Sequence, residues 1–150
     1  AQMIEIIGAA RKATRELSSS AISQQAAWQT WRLLNRTCFN NQLDPPLFIL
    51  FENNLDHLVD PTHRKPAGTG GPAGYTDLDP DTGKEVLLIA DDITDPALFM
   101  AVIGHEMVHQ SLSQKLGYTE MLKAGHGPVF VNELQKLKRM KGLALIHETI

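Results

Sequence analysis

The sequence of 150 residues contains a single cysteine, Cys38, and no long hydrophobic run. One thiol excludes an internal disulfide and a zinc cluster of cysteines, and we expect Cys38 to be a small buried residue on an amphipathic helix. No apolar run approaches the ~18 residues of a membrane-spanning helix. Residues 1–10 also lack the basic leading segment of a secretory signal. We therefore expect no membrane span and a cytoplasmic location, or a nucleoid or nuclear one if the protein acts on DNA.

Internal repeats and low-complexity segments are also missing, which argues against a repeat array or a disordered chain. What is present is a composition with 43% hydrophobic and 21% charged residues, enough to bury a continuous core. This length is typical of one domain. We therefore predict that residues 1–150 form a single domain.

Hydrophobic periodicity and turn residues divide the chain into helical ends and a strand-rich middle. Residues 79–83 have the composition of a hairpin turn, and the glycine-rich segment 65–74 suits a loop. The pattern therefore predicts an α+β fold with a small antiparallel sheet. The predicted elements are helices over 3–17 and 21–40, strands over 47–51, 75–78 and 85–90, a helix from Thr94–Pro96 to Gly117, and a last helix from Pro128 to about Lys141.

The long helix after the strands contains an HExxH motif, His105-Glu106-Met107-Val108-His109. Residues four apart lie on one face of a helix, so both imidazoles can reach one tetrahedral ion. Glu106 projects from the adjacent position and is a candidate general base, able to take a proton from a water that the metal activates. The alternative interpretation is a buried pair of structural histidines.

A catalytic zinc usually has a third protein ligand and an open fourth position. Leu112 and Lys115 stand where the longer HExxHxxGxxH pattern needs Gly and His, so that arrangement is excluded. His126 lies between two glycines just before a predicted helix and is the preferred third ligand. Glu120 and Glu133 are its rivals, because a later Glu serves in some zinc sites, although Glu133 fits equally well as a solvated helix residue.

At this point the chain resembles a known family, the SprT-like zinc metallopeptidases. The resemblance covers most of the chain from about Leu33 and implies a zincin-like fold, zinc held by His105, His109 and His126, and peptide-bond cleavage by Glu106, with DNA-associated proteins as possible substrates. The motifs that carry it are Leu34-Asn35, Cys38-Phe39-Asn40-Asn41-Gln42-Leu43, Ala73-Gly74-Tyr75, Val86-Leu87-Leu88-Ile89, the HExxH motif and His126-Gly127-Pro128-Val129-Phe130.

Charge is distributed unevenly along the chain. Between Asp44 and Asp95 eleven acidic residues face three basic ones, a balance of −8, whereas the rest carries eleven basic and six acidic residues, a balance of +5. Such asymmetry can mark a surface that contacts nucleic acid, but on a helical protein it more often reflects solvated helix faces. The residues that would form such a surface are Lys136, Lys138, Arg139 and Lys141, with Arg11, Lys12, Arg15, Arg32 and Arg36.

Three weaker signals have ordinary structural interpretations. Asp77, Asp79 and Asp81 alternate as in a calcium loop, but the positions that need Gly and Glu are Thr82 and Leu88, so a hairpin turn is preferred. Tyr75 is either an oxyanion-stabilising group or an ordinary strand residue. The remaining histidines lack a partner at ligand spacing and are taken as surface or loop residues: His57, His63 and His147.

Together these observations predict a zinc-dependent endopeptidase that holds an extended peptide against a strand edge. The competing hypothesis is a zinc-containing DNA- or protein-binding module without proteolytic activity. The retention of Glu106 beside a ligand pair favours the peptidase, because a purely structural site has no use for a base there.

Overall fold

The computed structural model describes residues 23–52, 73–93 and 95–139. The predicted helix over 3–17, most of the segment 65–74 and the three unassigned histidines lie outside these ranges. The described part has a mixed α+β architecture, as predicted. Its elements are α1 (Gln24–Cys38), β1 (Phe48–Glu52), β2 (Gly74–Leu78), β3 (Glu85–Ala90), α2 (Pro96–Leu116), α3 (Tyr118–Ala124), α4 (Pro128–Leu134) and a 3-10 helix (Gln135–Arg139).

Helix α1 confirms the second predicted helix, with slightly shorter ends. Ser23 caps it, since the hydroxyl oxygen accepts a hydrogen bond from the Ala26 N–H at 3.1 Å. The apolar face packs into the core through Trp31 and Leu34, and Cys38 at the end of the helix is buried as expected. This amphipathic helix therefore forms one wall of the core.

The sheet is mixed, so the prediction of an antiparallel sheet was wrong for one of its two strand pairs. β3 lies in the centre, pairs antiparallel with β2 and pairs parallel with β1. The turn over 79–83 closes the β2–β3 hairpin, with the Gly83 N–H donating to the Asp79 carbonyl at 2.8 Å. Turn residues determine the direction of that pair alone, whereas the short apolar run of β1 carries no signal for its direction.

Helix α2 is the central element and contacts α1, the sheet and the two following helices. Asp95 caps its start, where its carboxylate accepts from the Ala97 N–H at 3.1 Å, and Pro96 occupies the first turn as predicted. Gly117, with a φ of 93°, ends it. Gly104 allows close packing, because a Cβ there would lie 3.1 Å from a methyl group of Leu137. The HExxH motif thus sits in a helix buried along most of its length.

The C-terminal part departs from the prediction in two places. The short helix α3 was not predicted, because its 7 residues are too few to show a clear hydrophobic period. The helix that begins at Pro128 ends as an α-helix at Leu134 and continues as a 3-10 helix to Arg139, where the prediction had one α-helix to about Lys141. No helix in the described part of the chain is long and apolar enough to cross a membrane.

Candidate metal centre

Three histidine side chains from two parts of the fold meet at one point. His105 and His109 project from one face of α2, one turn apart, and His126 comes from the turn between α3 and α4. The Nε2 atom of His126 lies 3.2 Å from Nε2 of His105 and 3.2 Å from Nε2 of His109. Among the residues that the structure describes, these three form the one group of His, Cys, Asp or Glu side chains close enough to bind a metal ion.

This donor set fits a tetrahedral cation. Zinc bonds imidazole nitrogen at about 2.0–2.1 Å, which places two ligands of a tetrahedral ion roughly 3.3–3.4 Å apart. The observed separations of 3.2 Å are close to that edge length. Three nitrogen donors also leave one of four positions open, as in catalytic zinc sites. Imidazole suits several divalent ions, so the geometry by itself indicates a metal site and leaves the ion open.

Backbone geometry delivers His126 to the helix face. Gly125 has a φ of 51° and ends α3, a conformation that other residues rarely adopt. Gly127 then precedes Pro128, which occupies the first turn of α4. The sequence interpretation that glycine lets the chain turn sharply here is therefore confirmed at Gly125.

Phe130 supports all three imidazoles. Its ring centroid lies 5.0 Å from that of His105, 4.6 Å from His109 and 4.7 Å from His126, and the ring is fully buried. The inner nitrogen of His109, Nδ1, is buried, and no described group hydrogen-bonds it. Metal-bound histidines usually donate from the second nitrogen to a carbonyl or carboxylate. Here the contact with the Phe130 ring orients the His109 ring in place of such a hydrogen bond.

The electrostatic environment keeps the histidines ready to bind a cation. Burial, together with the nearby His126, lowers the pKa of His109 to about 3. The pKa of His126 also lies below its ordinary value because its ring is partly desolvated. Neutral imidazole is the form that binds metals, so both rings are in the required state at neutral pH.

Glu106 follows His105 on α2, and its side chain is buried against β2. Its Oε1 atom accepts a hydrogen bond from the Thr76 hydroxyl at 2.9 Å. Burial raises the pKa of Glu106 to about 8, although the hydrogen bond from Thr76 lowers it. A carboxyl group with a pKa near neutrality can both accept and return a proton. A cation at the adjacent histidines would lower this pKa and favour the ionised form.

The two rival ligands are engaged elsewhere. The Glu133 carboxylate is buried, accepts a hydrogen bond from the Ser111 hydroxyl, and pairs with Lys115 at 2.6 Å and with Lys136 at 3.0 Å. Burial raises the pKa of this carboxyl, but the hydrogen bonds from Lys115 and its neighbours bring it below the ordinary value. Neither the ligand role nor the interpretation as a solvated helix residue describes Glu133. Glu120 is exposed and pairs with Lys123 at 3.3 Å.

The aspartates of the possible calcium loop belong to the hairpin. The Asp79 carboxylate accepts from the Thr82 N–H at 3.0 Å and from the Thr82 hydroxyl at 2.6 Å. Such hydrogen bonds to residues a few positions on stabilise a turn. Tyr75 alternates with Thr76 along β2 and so points to the opposite face of the strand. It lies beside Tyr118, whose pKa is raised by burial and by Tyr75 and Asp77. An oxyanion role for Tyr75 stays a prediction.

The basic residues singled out for DNA contact are only partly described. Lys136 forms a salt bridge with Glu133, and its Nζ atom lies 5.7 Å from the centroid of the Phe39 ring. Lys138 is exposed, as are Arg32 and Arg36 on α1. The side chains of Arg139, Lys141, Arg11, Lys12 and Arg15 lie outside the described part. A DNA-binding surface therefore stays a prediction.

Sequence reasoning assigned no role to three residues that shape the site. Thr76 and Gly74 share one face of β2. Thr76 hydrogen-bonds Glu106, and Gly74 leaves room for it, since a Cβ there would lie 2.9 Å from Oε2. The sequence signal for both was a threonine and a glycine two apart at the start of a strand. Phe130 was part of the motif that begins at His126, but its position beneath the rings depends on the tertiary fold.

Comparison with known proteins adds no family, since no family model, no curated protein and no solved structure matches the chain.

Proposed function

We propose that this protein is a zinc-dependent endopeptidase with a zincin-like fold, in which His105, His109 and His126 hold the metal and Glu106 is the general base. The observation that carries the proposal is the convergence of three imidazole nitrogens, one of them from the residue that precedes a buried glutamate in the same helix. When bound, zinc would polarise the scissile carbonyl and lower the pKa of the attacking water.

The chain's own residues would perform the proton transfers. The carboxylate of Glu106 accepts a proton from the attacking water and then donates it to the amine that leaves when the peptide bond breaks. Burial favours this shuttle, because it raises the pKa of Glu106 above that of an ordinary carboxyl group, while a bound cation would counter part of that increase. Peptide hydrolysis needs a base and then an acid at the same place, and one carboxyl group supplies both.

The sheet offers a surface for the substrate. β2 packs against α2 and has a paired strand on one side only within the described sheet. On its other edge the Thr76 carbonyl accepts from the Tyr118 hydroxyl at 3.4 Å and the Leu78 N–H donates to the Asp77 carboxylate at 2.8 Å, so a peptide would pair with the remaining main-chain groups of that edge. An extended peptide can add to such an edge by main-chain hydrogen bonds, which accept many side chains. We therefore propose a protein or peptide substrate with broad sequence tolerance. The resemblance to the SprT-like family further suggests that DNA-associated proteins are among the substrates.

The buried acid favours a peptidase over a binding module. Desolvating a carboxyl group costs free energy, and a site that only holds the fold together gains nothing from it. A structural zinc site also uses four protein ligands as a rule. The described residues offer three converging imidazoles, the number found in catalytic sites.

The proposal is tested by digestion of an unfolded protein, such as reduced and alkylated casein, followed by mass spectrometry. We expect cleavage by the zinc-loaded protein, none after chelation, and recovery when zinc is restored in stoichiometric amount. A parallel sample with single-stranded and duplex DNA asks whether DNA stimulates cleavage. A protein that binds zinc stoichiometrically and cleaves nothing under any of these conditions is the binding module.

A further inference from the structure

Strand β2 lies against the Glu106 carboxylate at two positions. The Thr76 hydroxyl oxygen lies 2.9 Å from Oε1, and Thr76 itself is buried. Gly74, two residues earlier on the same face, faces the other oxygen, since a Cβ built on it would lie 2.9 Å from Oε2 and 3.0 Å from Cγ of Glu106. Oε1 thus has a hydrogen-bond donor in Thr76, and Oε2 lies in the space that a side chain at position 74 would fill.

The Thr76 hydroxyl has a second acceptor within reach on the same residue. It lies 3.1 Å from the main-chain oxygen of Glu106. A hydroxyl has one proton to donate and two lone pairs to accept with. It can therefore donate to an ionised carboxylate, or accept from a protonated one while it donates to the main-chain oxygen. The Thr76 hydroxyl thus lies within hydrogen-bonding distance of two oxygens of Glu106.

We infer that Thr76 is a positioning residue for the general base, and that Gly74 completes the cradle by leaving room for the carboxylate. This inference rests on the proposed function, because it assigns Thr76 a purpose in the reaction of Glu106. A carboxylate side chain has three rotatable bonds, and a displacement of about 1 Å in a catalytic group can cost roughly 100-fold in rate. The contact holds the carboxylate against the face of β2 that Gly74 and Thr76 share.

A purely structural role for Thr76 is the alternative, in which the hydroxyl only satisfies a buried oxygen. Thr76→Val removes the hydroxyl and keeps the shape, whereas Thr76→Ser keeps the hydroxyl. We expect Thr76→Val to lower kcat by about 10- to 100-fold with KM and zinc content unchanged, and Thr76→Ser to stay within about threefold of the wild type. A Thr76→Val protein with wild-type kcat, or a Thr76→Ser protein that loses as much, would overturn the inference.

Crystal structures of the two variants test the inference without any activity measurement. The Glu106 carboxylate should leave its wild-type position in Thr76→Val and keep it in Thr76→Ser. Thr76→Ala repeats the test if Thr76→Val does not fold. A carboxylate that stays in place in Thr76→Val and Thr76→Ala rejects the positioning role. Failure of the proposed function is a separate result, namely a wild-type protein that cleaves no peptide whatever the Glu106 position.

Discussion

The Nε2 atom of His126, in the turn before α4, lies 3.2 Å from Nε2 of His105 in the middle of α2. The two residues are brought together by packing between separate helices, so their contact depends on the tertiary fold. A metal ion bound there would link α2 to the α3–α4 turn. Metal binding and the stability of this part of the fold should therefore be coupled.

The ligand assignment predicts that His126→Ala loses stoichiometric zinc, since two imidazoles remain for the ion. Glu133→Gln is the matched control, because its carboxylate contacts Ser111, Lys115 and Lys136. That variant should keep its zinc and lose stability by about 1 kcal/mol, since the Ser111 hydroxyl is buried while Lys115 and Lys136 remain partly exposed to water. Mass spectrometry measures the zinc content of each variant, and thermal unfolding measures its stability. Zinc retained by His126→Ala and lost by Glu133→Gln would reverse the assignment.

Metal removal should destabilise the folded protein. An ion that binds only the folded state at 100 times its Kd adds about 2.7 kcal/mol to the free energy of unfolding. We expect the Tm to fall on addition of a chelator and to recover with zinc, while His126→Ala shows no response to either. An equal response to zinc in the wild type and His126→Ala would place the ion elsewhere.

Phe130→Leu should weaken zinc binding by about tenfold or more. The Phe130 ring packs against all three imidazoles and so fixes their orientation toward the ion. Phe99→Leu is the control, because Phe99 is also buried but stacks on Phe51. The measurement is zinc affinity by competition with a chromophoric chelator. Similar affinities in both variants would show that Phe130 is an ordinary core residue.

The stability of the metal-free protein should depend on pH through Glu106. Its pKa is raised from 4.5 to about 8 on folding, so between these values the folded state holds a proton that the unfolded state has lost. The free energy of unfolding therefore falls as the pH rises through this window, by up to roughly 3–5 kcal/mol. Glu106→Gln should lack this loss.

His109 contributes with the opposite sign, because its pKa is lowered from 6.5 to about 3 and stability is lost as the pH falls through that range. This contribution is common to the wild type and Glu106→Gln and cancels in their difference. Chemical denaturation of both metal-free proteins from pH 5 to pH 9 gives that difference directly. Parallel curves would show that Glu106 is not desolvated in the folded state.

DNA contact, where it exists, should depend on the basic residues after α4. Replacing Lys138 and Arg139 by Glu should weaken binding for every sequence alike, because contacts to phosphate carry no base information. Added salt should weaken wild-type binding steeply. Fluorescence anisotropy with single-stranded and duplex DNA at low and moderate salt measures both effects. An absence of binding at low salt, or binding unchanged in the double variant, removes DNA from the account.

The local elements and the candidate ligands could be predicted because their signals are local. Asp95 and Pro96 start α2, Gly117 ends it, and the 3.6-residue period places His105 and His109 on one face. Hairpin composition predicted the β2–β3 pair in the same way. Each of these features depends on residues close together in the sequence.

The remaining features depend on contacts between distant segments. The parallel direction of β1, the position of Phe130 beneath the imidazoles and the hydrogen bond from Thr76 to Glu106 all arise from tertiary packing. The ion pairs of the buried Glu133 carboxylate are a further case, since a glutamate in a short helix has the same local pattern whether it faces water or a lysine. One sequence without tertiary information carries no signal for such pairings.

The central claim is tested most directly by comparing the zinc-loaded wild type with Glu106→Gln in a peptide cleavage assay, with zinc content measured on the same samples. The amide keeps the shape of the side chain and removes the base. The account predicts one zinc per chain in both proteins and cleavage reduced by at least about 100-fold in the variant. Full cleavage by a zinc-loaded Glu106→Gln protein would contradict it.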